Sequence, residues 1–256
     1  MAAMDDVVTA LADQQAELTA ILDRTEGGDW ERPSRCEGWT VADVVLHLAQ
    51  TNEMAIASVE DRIPEYLEAV ARSLPDAPMS NVDDGAARMV ANERDRPLDE
   101  LEARWRRSVD GFLDRLEGAD FHRRVTWVAG ELSVRTLVTT RLAETWIHTG
   151  DVAAGLGVEL RPTERLQHVA RLAWRTLPYA FSRAGRTLTG PVAFELRGPG
   201  GNAWSFVPED PPLTTIRGEG IDLCLVAARR VDAGQTSLTG DGPDAAAVLE
   251  LVRTYA

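Results

Sequence analysis

Apolar residues recur at helical spacing through the first two thirds of the chain and give way to short alternating runs in the last third. Val7, Val8, Leu11, Leu18, Ile21 and Leu22 mark one face of a helix over residues 4–24, and a polar loop through Pro33 follows. Val41, Val44, Val45, Leu48, Ala55 and Val59 predict a second helix. Thr40 is its N-cap with Asp43 three residues on, and Trp39 and Val44 occupy the two positions of a hydrophobic staple. The segment from Pro75 to Pro78 breaks the pattern; a helical run resumes near Val82, is interrupted at Pro97, and continues through Leu101, Trp105, Val109, Phe112 and Leu116. A fourth helix carries Val134, Leu137, Val138, Arg141, Leu142, Thr145, Thr149 and Val152 between a Ser133 N-cap and Gly155 and Gly157. Each stripe must bury against another, and a four-helix bundle is the simplest way to do so.

From Thr163 the pattern predicts one more helical stretch to about Tyr179 and then strands. Val192–Leu196 and Trp204–Val207 flank Gly198-Pro-Gly-Gly201 as a β-hairpin, with Leu213–Arg217 as a third strand. Helices over Ile221–Arg230 and Pro243–Tyr255, separated by Thr236-Ser-Leu-Thr239, complete a small α+β domain. The glycine-rich turn follows a strand without opening a helix, so it lacks the setting of a phosphate-binding loop. Two domains are expected, residues 1–160 and 161–256.

The 256 residues are 44% hydrophobic, enough for packed cores without disulfides. With 41 acidic against 27 basic residues the net charge is −14, which opposes nucleic-acid backbones and anionic membranes; neither is expected as a partner. No lysine occurs, which removes Schiff-base chemistry and a lysine-dependent phosphate loop. Cys36 and Cys224 have no metal-ribbon or disulfide spacing, so a reducing cytoplasm is expected. Cys224 reads as buried, and Cys36, without a positioned base, as a small packing residue. No segment reaches about 18 consecutive apolar residues, so the protein is expected to be soluble, unexported, and a monomer or homodimer.

At about 100° per residue, Arg141, Glu144, His148 and Asp151 share one arc beside the buried stripe of the fourth helix. An acid and an imidazole so placed need partners, and a cation is one. An exposed Glu–His pair, worth a few tenths of a kcal/mol, fits the same spacing. His47, at the edge of the second helix's stripe beside Thr51 and Met54, is the third candidate ligand; a boundary histidine hydrogen-bonded to a neighbour fits equally. His122 and His168 read as solvated. Of the tryptophans, Trp127, in the connection before the fourth helix, is expected to border the cleft.

Three segments carry a resemblance: Cys36-Glu-Gly-Trp-Thr-Val with His47-Leu-Ala; Arg141-Leu-Ala-Glu-Thr-Trp-Ile-His with Asp151-Val; and Asp222-Leu-Cys-Leu-Val with Arg229-Arg230. In them the chain resembles the DinB-like metal-binding superfamily, in its mycothiol-dependent maleylpyruvate isomerase branch, and around Arg141 and Trp146 an actinobacterial subgroup of it. The resemblance covers nearly the whole chain. It implies a mostly α fold: an N-terminal DinB-like four-helix bundle, then a small α+β sterol-carrier-like C-terminal domain closing over the cleft. It implies a divalent metal, zinc in the usual case, on His47, Glu144 and His148, with mycothiol as the thiol. It also implies an arginine near the active site, Arg229 or Arg230, against which stands the ordinary salt bridge of a helix-end arginine. Asp151 is a candidate to orient His148 or an incoming group, and Arg141 to pair with Glu144 or a substrate carboxylate. The expected function is a metal- and thiol-dependent isomerase or transferase acting on a small electrophile. A thiol-independent metal enzyme, or a non-catalytic binding protein with a structural metal, are the alternatives.

Overall fold

The computed structural model describes residues 2–74, 81–128 and 130–254; the expected break at Pro75 to Pro78 and the end of the expected last helix at Tyr255 lie outside them. The chain forms two compact units, Met1–Leu160 and Arg161–Ala256.

The first unit is built on α1 (Ala2–Leu22), α2 (Val41–Val59), α5 (Leu98–Leu116) and α6 (Val134–Leu156), with α3 (Ile63–Ser73) and α4 (Val82–Glu93) inserted after α2. α2 packs on α5 and α6, and α1 on α6 and α5, which closes a four-helix bundle; α3 and α4 lie against α2 as well. α2 is therefore covered on most of its circumference, and even Gln50, Asn52 and Ser58 are buried. The expected one-sided stripe is too narrow a description: His47 is not at an exposed edge but only 8% exposed. The core around this helix includes Leu18, Val44, Val45, Leu48, Val90, Trp105 and Val152.

Two elements of this unit go beyond the sequence reading. α3 has Pro64 in its first turn, where a missing N–H costs nothing, and only Ile63 on it is buried. The connection before α6 is a hairpin of β1 (Arg124–Trp127) and β2 (Gly130–Ser133). Its β1 strand is tied to the C-terminal end of α2 by the Ser58 hydroxyl, which donates to the Thr126 carbonyl at 2.6 Å. The hairpin delivers the chain straight to Ser133, whose Oγ accepts from Thr136 N and caps α6. α6 ends at Gly157, at φ 72°.

In the second unit the expected single helix from Thr163 to Tyr179 is two, α7 (Leu166–Arg175) and α8 (Leu177–Arg183). Pro178, in the first turn of α8, cannot continue the ladder of α7, so the break falls at Thr176. The hairpin is β3 (Val192–Arg197) with β4 (Ala203–Phe206), antiparallel, and β5 (Thr214–Glu219) runs parallel to β3. A short β6 (Thr239–Asp241) completes the sheet, in the order β4-β3-β5-β6. α9 (Gly220–Ala227) and α10 (Ala245–Leu251) are shorter than expected. Gly220 opens α9 because a Cβ there would come within 2.3 Å of the buried Trp204 ring.

Candidate metal centre

His47 is set by the start of α2. Thr40 Oγ1 accepts from Asp43 N at 3.2 Å and Thr40 N donates to Asp43 Oδ2 at 2.9 Å, a closed capping box that fixes the register of the helix. Trp39 does more than staple this end: its ring lies 5.2 Å from the His47 ring, centroid to centroid. Glu144, His148 and Asp151 project from α6, one turn apart, as their spacing requires.

The two helices bring the three candidate ligands together. His47 Nε2 lies 3.2 Å from Glu144 Oε2, and His148 Nε2 lies 3.7 Å from the same oxygen, with side chains only 10–13% exposed. The two imidazoles meet edge to face at 4.9 Å. A tetrahedral ion with bonds of about 2.0–2.2 Å holds its donors roughly 3.3–3.6 Å apart, and the spacings of 3.2 and 3.7 Å are within about 0.1 Å of that. Two nitrogens and a carboxylate oxygen are a donor set that a zinc-like ion accepts while keeping a position open. All the donor atoms lie within 4.8 Å of one another.

Behind this triad stands a second layer. His148 Nδ1 lies 2.9 Å from Asp151 Oδ2, and the Asp151 side chain is 1% exposed. The contact holds the ring with Nε2 turned towards Glu144 and His47, and an ionised carboxylate there favours the proton on Nδ1. Cys36 Sγ is 3.1 Å from the same Asp151 oxygen and 3.7 Å from His148 Nδ1. Arg141, buried at 1% exposure, gives Nε and Nη2 to Asn52 Oδ1 at 3.3 and 3.2 Å. Asn52 in turn donates to Ser108 Oγ at 3.2 Å. Arg141 Nη1 stands 3.9 Å from Glu144 Oε2.

Burial opposes ionisation of Glu144, but the hydrogen bond with His47 and the nearby charges outweigh it and hold the carboxyl at about 2. Burial is also the main influence on His47, pushing its pKa below the usual imidazole value against the pull of Glu144. His47 is therefore neutral near pH 7, and Arg141, though burial lowers it to about 10, is the standing positive charge beside Glu144. Glu144, Asp151 and Arg141 sum to −1 when both acids are ionised; a divalent ion would bring the centre to +1.

The other expected residues are on other elements. Trp127 is half-buried at the end of β1, paired with Gly130. Arg229 and Arg230 are in the second unit, just past α9: Arg229 is exposed at φ 61°, and Arg230 donates to the Ala228 carbonyl at 2.9 Å. His122 is exposed and His168 half-buried. Cys36, read from sequence as a small packing residue, does pack against the bundle core, and it also faces the His148–Asp151 pair. The one signal for this was Gly155, read as a helix terminator. It lies inside α6, where a Cβ would be 2.7 Å from the Pro33 carbonyl, and it marks the close approach of the Cys36 loop.

Residues 11–153 match the model of the mycothiol maleylpyruvate isomerase N-terminal domain. Two uncharacterized proteins of Mycobacterium tuberculosis, from the CDC 1551 / Oshkosh and H37Rv strains, are each 32% identical to the chain, over 99% of it and 97% of their own length. Crystal structures of the mycothiol-dependent maleylpyruvate isomerase and of a histidine-to-alanine mutant share the fold. Their TM-scores are 0.59 and 0.61 at 16% identity, covering 94% of this chain and 95% of theirs. With the family model spanning more than half of its residues and relatives aligned over nearly its full length, this chain belongs to the mycothiol maleylpyruvate isomerase family.

Proposed function

We propose that the chain is a divalent-metal-dependent enzyme that uses a low-molecular-weight thiol, mycothiol, to isomerise or conjugate a small electrophile. The observation that carries this reading is the convergence of His47, Glu144 and His148 from two helices, with Asp151 behind one of them. Family membership and the likeness to a mycothiol-dependent maleylpyruvate isomerase support the thiol and the reaction class.

His47, Glu144 and His148 would hold the ion. Asp151 keeps His148 in the tautomer whose Nε2 can bind, and fixes the ring plane. Arg141 adds to the pull of His47 in keeping Glu144 ionised, and its Nη1, which makes no hydrogen bond among the described residues, is the group offered to a carboxylate of the substrate or thiol. Trp39 covers one side of His47 and limits water there. A bound divalent ion supplies a depressed pKa for a thiol, and so a sulfur nucleophile near neutral pH. Isomerisation would return the thiol unchanged; conjugation would retain its sulfur in the product. The proposal keeps Trp127 as a thiol contact and Arg229 or Arg230 as substrate-handling groups. Alanine at each is expected to raise KM or lower kcat with metal content unchanged.

The test is turnover of an electrophile panel that includes maleylpyruvate, by zinc-reconstituted protein with and without mycothiol. Turnover that needs both is expected. A rate indifferent to thiol would instead favour direct polarisation of the substrate. No turnover with any electrophile would leave a binding protein with a structural metal.

A further inference from the structure

The segment from Pro33 to Thr40 touches both imidazoles of the centre from outside it. Trp39 lies on the His47 ring. Cys36 Sγ sits 3.1 Å from Asp151 Oδ2, the oxygen that also faces His148 Nδ1. The loop is registered on α6 by several contacts: Arg35 N donates to the Asp151 carbonyl at 3.2 Å, and Gly155 admits the Pro33 carbonyl where a Cβ would not. Ser34 Oγ donates to the Trp39 carbonyl at 2.8 Å and accepts from Cys36 N at 3.1 Å, which sets the turn that aims the thiol.

We infer that Cys36 is a positioning residue of the centre. Its S–H donates to Asp151 Oδ2 and so holds the carboxylate in the rotamer that reaches His148 Nδ1, which keeps the ring turned with Nε2 towards Glu144 and His47. A thiol suits this place: it is small enough for the loop's approach to α6 and is a weak donor that leaves the His148 bond the stronger of the two. The inference rests on the proposed metal reading for its importance, but the fixed orientation of the His148 ring is a property of the metal-free chain.

The experiment compares wild type with Cys36→Ala, Cys36→Val, which keeps volume without a donor, and Cys36→Ser, which keeps a donor. Long-range 1H–15N correlation spectra of the metal-free full chain report whether the His148 ring gives one set of signals or several. Chelator competition with Zn2+ reports affinity. Wild type and Cys36→Ser are expected to show one set. Cys36→Ala and Cys36→Val are expected to show doubled or broadened ring signals and about tenfold weaker zinc binding. Unchanged ring signals and affinity in both donorless variants would overturn the inference. So would a thiolate-to-metal charge-transfer band in Co2+-loaded wild type that Cys36→Ser abolishes, since Cys36 would then be a ligand itself. If wild type holds no ion, the metal reading falls and the ring spectra alone decide the role of Cys36.

Discussion

Arg141 shows how much of the centre rests on one buried side chain. Its guanidinium satisfies Asn52 Oδ1 with two donors and faces Glu144 with a third nitrogen. Arg141→Met keeps the volume but leaves Asn52 Oδ1 without its two donors and removes the cation beside Glu144, and a loss of about 3 kcal/mol is expected in urea unfolding of the metal-free protein. Glu144 gives a pH signature with a definite sign. Its folded value, about 2, lies below the unperturbed 4.5, so the unfolded chain binds the proton more readily. The stability it contributes is complete above the ordinary carboxylate range and is lost as pH falls towards 2. Metal-free Glu144→Gln should be less stable than wild type at neutral pH, with the difference shrinking below pH 4.5; a constant difference would contradict the assignment. His47, Glu144, His148 and Asp151 were legible because two signals that act locally, a cap and helical spacing, fix which face each residue takes. Asn52, Ser108 and Cys36 were not, because their roles depend on where α5, α6 and the loop meet across more than fifty residues of chain.

At the scale of elements, α6 carries the clearest conflict between local preference and tertiary contact. A mid-helix glycine costs roughly 1 kcal/mol against alanine, so propensity alone says that Gly155→Ala stabilises. The Pro33 carbonyl at 2.7 Å from the new Cβ says the opposite, since it is backbone and the loop must shift to clear it. Destabilisation by about 1–3 kcal/mol is expected in the same urea measurement. A gain in stability would mean that the loop is not seated as described. The elements found from sequence include α1, α2, α4, α5 and α6, which carry periodic stripes, the strands β3, β4 and β5, and α9 and α10 in shortened form. α3 was missed because it buries so little, and the β1–β2 hairpin because four-residue strands leave too short an alternation to read. The split of α7 from α8 was written in Pro178, inside an apolar pattern that runs across it.

Across the whole molecule, every residue of the candidate centre lies in the first unit and within the stretch that matches the family model. The second unit has its own core, in which Phe194, Trp204, Ile216 and Leu223 are buried. Composition excluded partners more readily than it identified one: a charge of −14 argues against polyanions but does not choose among small molecules. The residues alone pointed to a cation, and what the resemblance added was zinc and the thiol; the metal stands or falls on the triad. Metal content of the full chain, measured by mass spectrometry after loading with a divalent ion and desalting, tests that most directly. One ion per chain is expected for wild type, and almost none for the variant carrying His47→Ala, Glu144→Ala and His148→Ala with its helical circular dichroism retained. Wild type that holds no ion, or a triple variant that holds as much as wild type, would contradict the account.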